Sequence, residues 1–152
     1  MKIQSKKYEV RLMAKIKHIA LATQDVEKTA NFYKEVFDLE EVGNVDNENA
    51  EGRYLSDGNI NLAILHFKNE VIAGQEFGTG YSGIHHIGFQ VENASEVHST
   101  LRDASSMPRD DINTLLHSST DPHSGVRNVE LKYIGPDGIM IDISQCGWIG
   151  TD

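Results

Sequence analysis

Hydrophobic and polar residues alternate in two similar stretches of this chain. In "KIKHIALATQD" (15–25) and "GIHHIGFQVEN" (83–93) the apolar residues recur with a period of two, which predicts a strand in each. The two stretches align with one constant offset, 86 − 18 = 68, which brings His18 into line with His86. The chain therefore contains an internal repeat.

Each alternating stretch is followed by a predicted helix. Asp25 and Asn93 end the two strands and are residues that cap helix N-termini well. The apolar residues of the first predicted helix form one stripe: Val26, Ala30, Tyr33 and Phe37. The second helix carries a weaker stripe: Ala94, Val97 and Leu101.

The two halves also end alike. "SDGNINLAIL" (56–65) and "PDGIMIDISQ" (136–145) both place an Asp-Gly turn before an alternating strand, which is a hairpin signal. Further strands are predicted at 39–45 and 51–56 in the first half and at 112–117 and 127–134 in the second. Each half is thus predicted to be β-α-β-β-β.

These elements predict one domain over residues 13–148. Module one spans 13–68, a linker with three glycines spans 69–82, and module two spans 83–148. Residues 1–12 stand outside the repeat and are expected to form an arm or an extra strand.

Composition narrows the class of protein. The chain has 152 residues, a net charge of −9 and no basic block beyond its first residues, which argues against nucleic acid or a membrane as partner. No apolar run is long enough to span a bilayer, and the start lacks a secretory signal. The single cysteine, Cys146, fits a reducing compartment, so we expect a cytoplasmic protein.

The histidines are the first candidates for chemistry. By strand alternation His18 and His86 share one face with the small residues Ala20 and Gly88, while the large apolar residues occupy the other. We expect His18 and His86 to face each other across a cavity, and His85 to point away as an ordinary strand-end residue. The alternative is that each histidine is structural.

The last strand supplies a carboxylate on the same face. In "GIMIDISQ" the isoleucines face the core, so Asp142 faces the histidines. A buried carboxylate is costly unless it is paired or bound to a cation. Two interpretations stay open: an ion pair with a nearby Lys or Arg, or a metal site of two histidines and one carboxylate.

Other residues are predicted to line the same cavity. Aligning the apolar residues of the two hairpins gives an offset of 139 − 60 = 79, which places Ala63 opposite Asp142. Glu130 and Lys132 are candidates for proton transfer, with a solvated strand face as the alternative. The predicted substrate pocket comprises Asn61, Ala63, Gln90 and Asn128.

With these motifs in place, the chain resembles the vicinal oxygen chelate superfamily of glyoxalases, epimerases, bleomycin-resistance proteins and extradiol dioxygenases. The resemblance implies an α+β fold in which two tandem βαβββ modules form a cupped mixed sheet with helices on its outer face. It also implies one divalent metal (Zn, Fe, Mn, Ni, Co or Mg), held by His18, His86 and Asp142. The family's fourth ligand, usually Glu or Gln, falls on Ala63, and the amide oxygen of Asn61 on the same strand is the alternative fourth ligand.

The resemblance leaves three functions open. The first is a metal-dependent lyase or isomerase of the glyoxalase/epimerase type, acting on a small oxygen-rich substrate that chelates the metal. The second is an Fe(II) dioxygenase of the extradiol type. The third is a metal-free binding protein of the bleomycin-resistance type. A small-molecule substrate and a homodimer are expected from the family.

Overall fold

The structure is a computed structural model that describes residues 13–117 and 130–152. Its strands are β1 (Lys15–Ala22), β2 (Glu40–Asp46), β3 (Ala50–Ser56), β4 (Asn61–Phe67), β5 (Gly83–Gln90), β6 (Leu131–Ile134) and β7 (Met140–Ser144). Its helices are α1 (Val26–Phe37), α2 (Glu70–Ala73), α3 (Ala94–Asp103) and α4 (Asp110–Leu116), with a 3-10 turn at Pro136–Gly138. The arm expected at residues 1–12 lies outside the described residues.

The strands form one mixed sheet in the order β2-β3-β4-β1-β5-β7-β6. The first strands of the two repeats, β1 and β5, pair antiparallel at its centre. Each has a parallel neighbour, β4 beside β1 and β7 beside β5. The predicted α+β class with a cupped mixed sheet is confirmed, and the first half has the predicted β-α-β-β-β order.

The second half departs from this order. The strand predicted at 112–117 is wrong, because α4 occupies Asp110–Leu116. Its apolar residues Ile112 and Leu116 are four apart and both pack into the core, which is helical spacing rather than alternation. The described part of the strand predicted at 127–134 contains β6.

The outer face of the sheet is covered by α1 and α3. The Asp25 side chain accepts a hydrogen bond from the Lys28 N–H, and Asn93 accepts one from Glu96 N–H, so both predicted caps are confirmed. The two outer clusters are centred on Val26, Ala30, Leu55 and Ile64, and on Val91, Val97, Tyr133 and Ile143.

The inner face has its own apolar cluster, to which the two short helices contribute. Ile72 and Ala73 of α2 and Ile112 of α4 pack on inner-face residues of the sheet such as Ala20 and Met140. Some residues of this cluster, among them Leu65, Phe67 and Ile72, also line a cavity.

Two β-bulges shift the side chains of the central strands. Lys17 is an extra residue in β1 and His85 is an extra residue in β5, each without a partner in the β1–β5 ladder. The bulges are equivalent in the repeat, since 85 − 17 = 68. A bulge breaks the alternation of faces, so Lys17 and His18 are both buried, as are His85 and His86. His85 is therefore not the ordinary strand-end residue that we expected, because it is buried and its ring bonds that of His86, although it is absent from the cavity walls that the described residues form.

The register of the parallel pairs supports the predicted hairpin alignment. Ala20 pairs with Ala63, and Gly88, which is 68 residues after Ala20, pairs with Asp142. The offset between the hairpin strands is thus 142 − 63 = 79, as the apolar pattern predicts. In the described part of the chain, no helix has the length and apolar character needed to cross a membrane.

Candidate metal centre

A cavity of about 1140 Å³ lies against the inner face of the sheet. Its polar wall contains His18, His86, Glu130 and Lys132, and its apolar wall contains Leu65, Phe67, Ile72 and Trp148. An apolar pocket with a few convergent polar groups is the usual form of a small-molecule site. The chemistry of this cavity therefore depends on its polar wall.

Three potential ligand atoms converge there. His18 Nε2 lies 3.0 Å from His86 Nε2. His86 Nε2 lies 3.2 Å from Asp142 Oδ2, and ligand atoms of the three residues all lie within 4.8 Å of one another. All three side chains are buried. These are the three residues that the sequence predicts as candidate metal ligands.

Asn61 fixes the proton on His18. The Asn61 amide nitrogen donates to the Ile149 carbonyl at 2.9 Å, which leaves its oxygen as the atom facing His18. His18 Nδ1 lies 2.8 Å from that oxygen and must donate to it. In the neutral ring the proton is then on Nδ1, and His18 Nε2 has a lone pair directed into the site.

His85 fixes the proton on His86 in a similar way. His85 Nε2 lies 2.6 Å from the Ala73 carbonyl, which can only accept, so His85 carries its proton on Nε2. Its Nδ1 is then an acceptor for His86 Nδ1, 2.8 Å away. His86 Nε2 is left with a lone pair facing the site. Sequence reasoning missed this role, because only the bulge brings neighbouring histidines onto one side.

The histidines stay neutral at pH 7. Burial lowers the pKa of His18 to about 4 and that of His86 to about 3, and in both the charge of Asp142 compensates only in part. Burial likewise lowers the pKa of His85 to about 4. Two imidazole lone pairs and a carboxylate oxygen therefore meet in one buried place, where they repel one another unless a cation lies between them.

Asp142 has a partner on the next strand. Lys132 Nζ lies 2.7 Å from Asp142 Oδ1 and 2.8 Å from Oδ2. Burial disfavours the charged carboxylate, but the ammonium of Lys132 counteracts it, and the pKa of Asp142 is held well below its usual range. Both interpretations of Asp142 thus apply: it is ion-paired and also adjacent to the histidines. The solvated-face alternative is wrong for Lys132, which is 5% exposed.

Glu130 adds a second acid to the same wall. Burial, and next the nearby charge of Asp142, raise the pKa of Glu130 to about 8. A carboxyl group with a pKa near neutrality can both take up and release a proton at physiological pH. Its position in the cavity wall fits the role predicted for it.

Trp148 is a cavity residue that sequence reasoning missed. Its ring stacks on His18 with ring centroids 4.8 Å apart and planes within 1°. A Cβ atom at Gly88 would lie 2.7 Å from both His18 Cβ and the Trp148 ring, so the glycine makes room for this stack. The space expected beside His86 is therefore filled by an aromatic ring. The lone Trp after the repeat was the available signal.

The remaining predicted pocket residues fall in different places. Asn61 lines the cavity. Ala63 is fully buried in the inner-face cluster and contributes no donor atom. Gln90 lies at the end of β5, donates to the Gln145 carbonyl, and is absent from the cavity walls that the described residues form. Asn128 lies outside the described residues.

The donor set fits a divalent cation. Two ligand atoms that each lie about 2.1 Å from an ion at right angles are about 3.0 Å apart. The His18 and His86 nitrogens are 3.0 Å apart, and the His86 nitrogen lies 3.2 Å from the Asp142 oxygen. Imidazole nitrogens and a carboxylate oxygen suit Zn, Fe, Mn, Ni or Co. Outer hydrogen bonds that fix the histidine tautomers are typical of metal centres.

The buried histidines predict a characteristic pH dependence for the metal-free protein. His18, His85 and His86 keep pKa values of about 3 to 4 when folded and return to 6.5 on unfolding, so their contribution is lost as pH falls below 6.5. Glu130 acts in the opposite sense, because its pKa falls from about 8 to 4.5 on unfolding. Near pH 5.5 unfolding should take up about two protons, a slope of about 2.7 kcal/mol per pH unit. Denaturant unfolding of chelator-treated protein from pH 4.5 to 6.5 measures it, and a flat profile would contradict it.

Comparison with known proteins identifies a family for this chain. The family model described as the Glyoxalase/Bleomycin resistance protein/Dioxygenase superfamily matches residues 15–142. No curated protein matches the chain.

Solved structures share the fold at low sequence identity. A hypothetical protein, BH1468, from Bacillus halodurans is 20% identical, with a TM-score of 0.64 over 87% of this chain and 94% of that one. A variant of Streptomyces coelicolor methylmalonyl-CoA epimerase, in complex with 2-nitronate-propionyl-CoA, is 19% identical, with a TM-score of 0.62 over 85% and 94%. A methylmalonyl-CoA epimerase in complex with methylmalonyl-CoA and NH4+ is 20% identical, with a TM-score of 0.62 over 86% and 93%.

The family match covers both histidines and the aspartate of the candidate centre as well as most of the sheet. The chain therefore belongs to the glyoxalase/bleomycin resistance protein/dioxygenase superfamily, which is the vicinal oxygen chelate superfamily.

Proposed function

We propose that this protein is a metal-dependent isomerase or lyase of the glyoxalase/epimerase type, acting on a small molecule that presents two neighbouring oxygen atoms to the metal. The observation that carries the proposal is the meeting of three unprotonated donor atoms, from His18, His86 and Asp142, at the wall of a large cavity. A divalent cation between these atoms would relieve the repulsion between their lone pairs.

His18, His86 and Asp142 would hold the metal. A divalent ion bound there would supply Lewis acidity to substrate oxygens. Ala63 in place of the family's fourth ligand leaves more positions for substrate or water. Trp148 holds the His18 ring in place by stacking and covers it on one side.

In this proposal Glu130 is the residue that transfers the proton. Its carboxyl lies in the cavity wall, and its pKa of about 8 lets it act as an acid or a base near neutral pH. In an isomerase it would remove a proton from the carbon beside a carbonyl group and return it. Lys132, on the same wall, would offer positive charge to the oxygen that becomes negative.

The substrate class is suggested by the fold's neighbours. Methylmalonyl-CoA and 2-nitronate-propionyl-CoA, found in two solved epimerases, both place an anionic oxygen group close to a thioester. We infer that an acyl compound with two such oxygens is the first substrate to test here. The cavity of about 1140 Å³ has room for the acyl portion.

Four expectations from the sequence remain proposals. They are the domain boundary at residues 13–148, the homodimer, the absence of nucleic-acid or membrane partners, and the cytoplasmic location. Light scattering on the purified chain tests the dimer.

The experiment has two steps. Metal content is first measured on protein purified without chelator or metal-affinity resin. The metal-loaded protein is then incubated in D₂O with methylmalonyl-CoA and a panel of hemithioacetals and 2-substituted acyl thioesters, and exchange at the acidic carbon is followed by NMR. We expect bound metal and exchange with at least one compound.

Glu130→Gln is the matched control. It should keep metal binding within a few-fold and lose about 10²- to 10⁴-fold in the exchange rate. Bound iron with oxygen consumption on catechols would instead favour the dioxygenase. Absence of metal after soaking would favour the binding protein and would overturn the proposal.

A further inference from the structure

We propose that Lys132 is an internal cation that competes with the divalent metal for Asp142, so that the metal enters by displacing the lysine ammonium from the carboxylate. This inference rests on the proposed metal centre and adds to it a residue that limits metal affinity. It also narrows the substrate class, as described below.

The contact between the two side chains is close and buried. Lys132 Nζ lies within hydrogen-bond distance of both oxygens of Asp142, and the two residues face each other directly in the β6–β7 ladder. The ammonium therefore contacts Oδ2, the same oxygen that lies 3.2 Å from His86 Nε2. A metal bound between Asp142 and the histidines must share or take that atom.

The lysine backbone is fixed while its side chain can move. The Asn113 side chain accepts a hydrogen bond from the Lys132 N–H and donates one to its carbonyl, at 2.9 and 3.0 Å. The Lys132 side chain lines the cavity, so its four-carbon stem has space into which the ammonium can withdraw. Displacement thus requires rotation of one side chain and no change in the sheet.

The charges explain why the two cations compete. Without metal, the carboxylate of Asp142 and the ammonium of Lys132 cancel, which makes the buried carboxylate tolerable. A divalent ion at Oδ2 would bring a double positive charge next to the ammonium in a site shielded from water, where repulsion is weakly screened. In this proposal the ion gains the full attraction of Asp142 only when the ammonium has withdrawn.

The positive charge of the displaced ammonium affects which substrates bind. The ammonium stays attached to β6 in the cavity wall, so the metal-loaded site carries excess positive charge. A chelating substrate with negative charge on its oxygens, such as a carboxylate, restores the balance, whereas a neutral chelator does not. The proposal thus favours anionic over neutral chelating substrates.

The test is calorimetric titration of chelator-treated protein with Zn²⁺ and Mn²⁺. Lys132→Met keeps the length of the side chain and removes its charge, so we expect metal affinity to rise by about tenfold or more. Lys132→Arg keeps the charge and should bind no more tightly than the wild type. Lys34→Met is the control, since it removes one charge from an exposed ion pair with Glu41, and neither of these residues lines the cavity.

A second measurement covers the case in which the variant is unstable. Lys132→Met leaves Asp142 buried without its partner, so the metal-free variant should unfold at a lower temperature than the wild type. Added metal should then raise its unfolding temperature by more than it raises that of the wild type. A smaller rise would count against the proposal.

The outcomes separate this inference from the proposed function. Equal or weaker metal affinity in Lys132→Met would overturn the competition and leave the metal-dependent function standing. Metal binding by Lys132→Met alone would support the competition and overturn metal dependence of the wild type. Absence of binding in both proteins would overturn both.

Discussion

His18→Ala and His86→Ala are each expected to abolish tight binding of a divalent metal. Each change removes one of the three donor atoms that the described residues bring together, because Ala63 supplies none at the family's fourth position. Removing an outer partner of a ligand already costs about 10- to 100-fold in affinity, so loss of a ligand itself should cost more than about 100-fold. Calorimetric titration of chelator-treated proteins measures the effect.

The matched control is His98→Ala. His98 lies on α3 on the outer face of the sheet, where it bonds the Tyr133 hydroxyl rather than the cavity residues. The His98→Ala variant should bind metal with the same affinity as the wild type. An unfolding transition measured on each metal-free variant checks that the variant is folded. Wild-type affinity in either His18→Ala or His86→Ala would exclude that residue as a ligand.

The grouping of the three candidate ligands could be predicted because it depends on periodicity alone. A repeat with a constant offset of 68 places His18 and His86 at equivalent points of two strands. Regular alternation in β7 then puts Asp142 on the same side as the histidines. None of these steps requires knowledge of a particular contact, so a sequence pattern was sufficient.

The role of His85 could not be predicted, because it depends on a bulge. Strict alternation places His85 and His86 on opposite faces, and nothing in the sequence marks the extra residue. The structure shows the same irregularity at Lys17, which is also buried although alternation places it opposite His18. A local break in a ladder is decided by pairing with the neighbouring strand, which a single segment does not reveal.

Helix α4 shows a different limit. The analogy with the first half predicts a strand at 112–117, because there is room for one between the second helix and the last hairpin, but the structure has α4 at Asp110–Leu116. Residues 107–109 instead bridge the outer edge of β6, where Ile134 N–H bonds the Met107 carbonyl and Arg109 N–H bonds the Lys132 carbonyl. These contacts occupy edge groups of β6 that another strand would use. For the secondary structure of a segment, the symmetry of a repeat is therefore weaker evidence than helical spacing of apolar residues within that segment.

Asp142 shows why two interpretations of one residue need not exclude each other. The sequence allowed an ion pair or a metal ligand, and the fold places both Lys132 and His86 within 3.2 Å of its oxygens. Whether Asp142 pairs with Lys132 or binds a metal depends on which of these two cations it binds more tightly. That is a matter of free energy, which variants of Lys132 can measure.

His85→Phe is expected to weaken metal binding by about 10- to 100-fold, although His85 would not contact the metal itself. The His85 ring packs between Phe67 and Phe77, with centroids 4.4 and 4.5 Å away, so phenylalanine preserves its shape and packing. It removes the acceptor for His86 Nδ1. The His86 ring is then free to turn or to carry its proton on Nε2, and both changes oppose metal binding.

His85→Gln is the matched variant, since its amide can accept from His86 and donate to the Ala73 carbonyl, as the imidazole does. It should retain metal affinity within about threefold of the wild type, and calorimetric titration compares the two. The contrast separates hydrogen bonding from packing, because Phe keeps the shape and loses the bonds while Gln does the reverse. If Phe binds metal as tightly as the wild type while Gln binds weakly, His85 serves only to fill the core and the tautomer of His86 is set in another way.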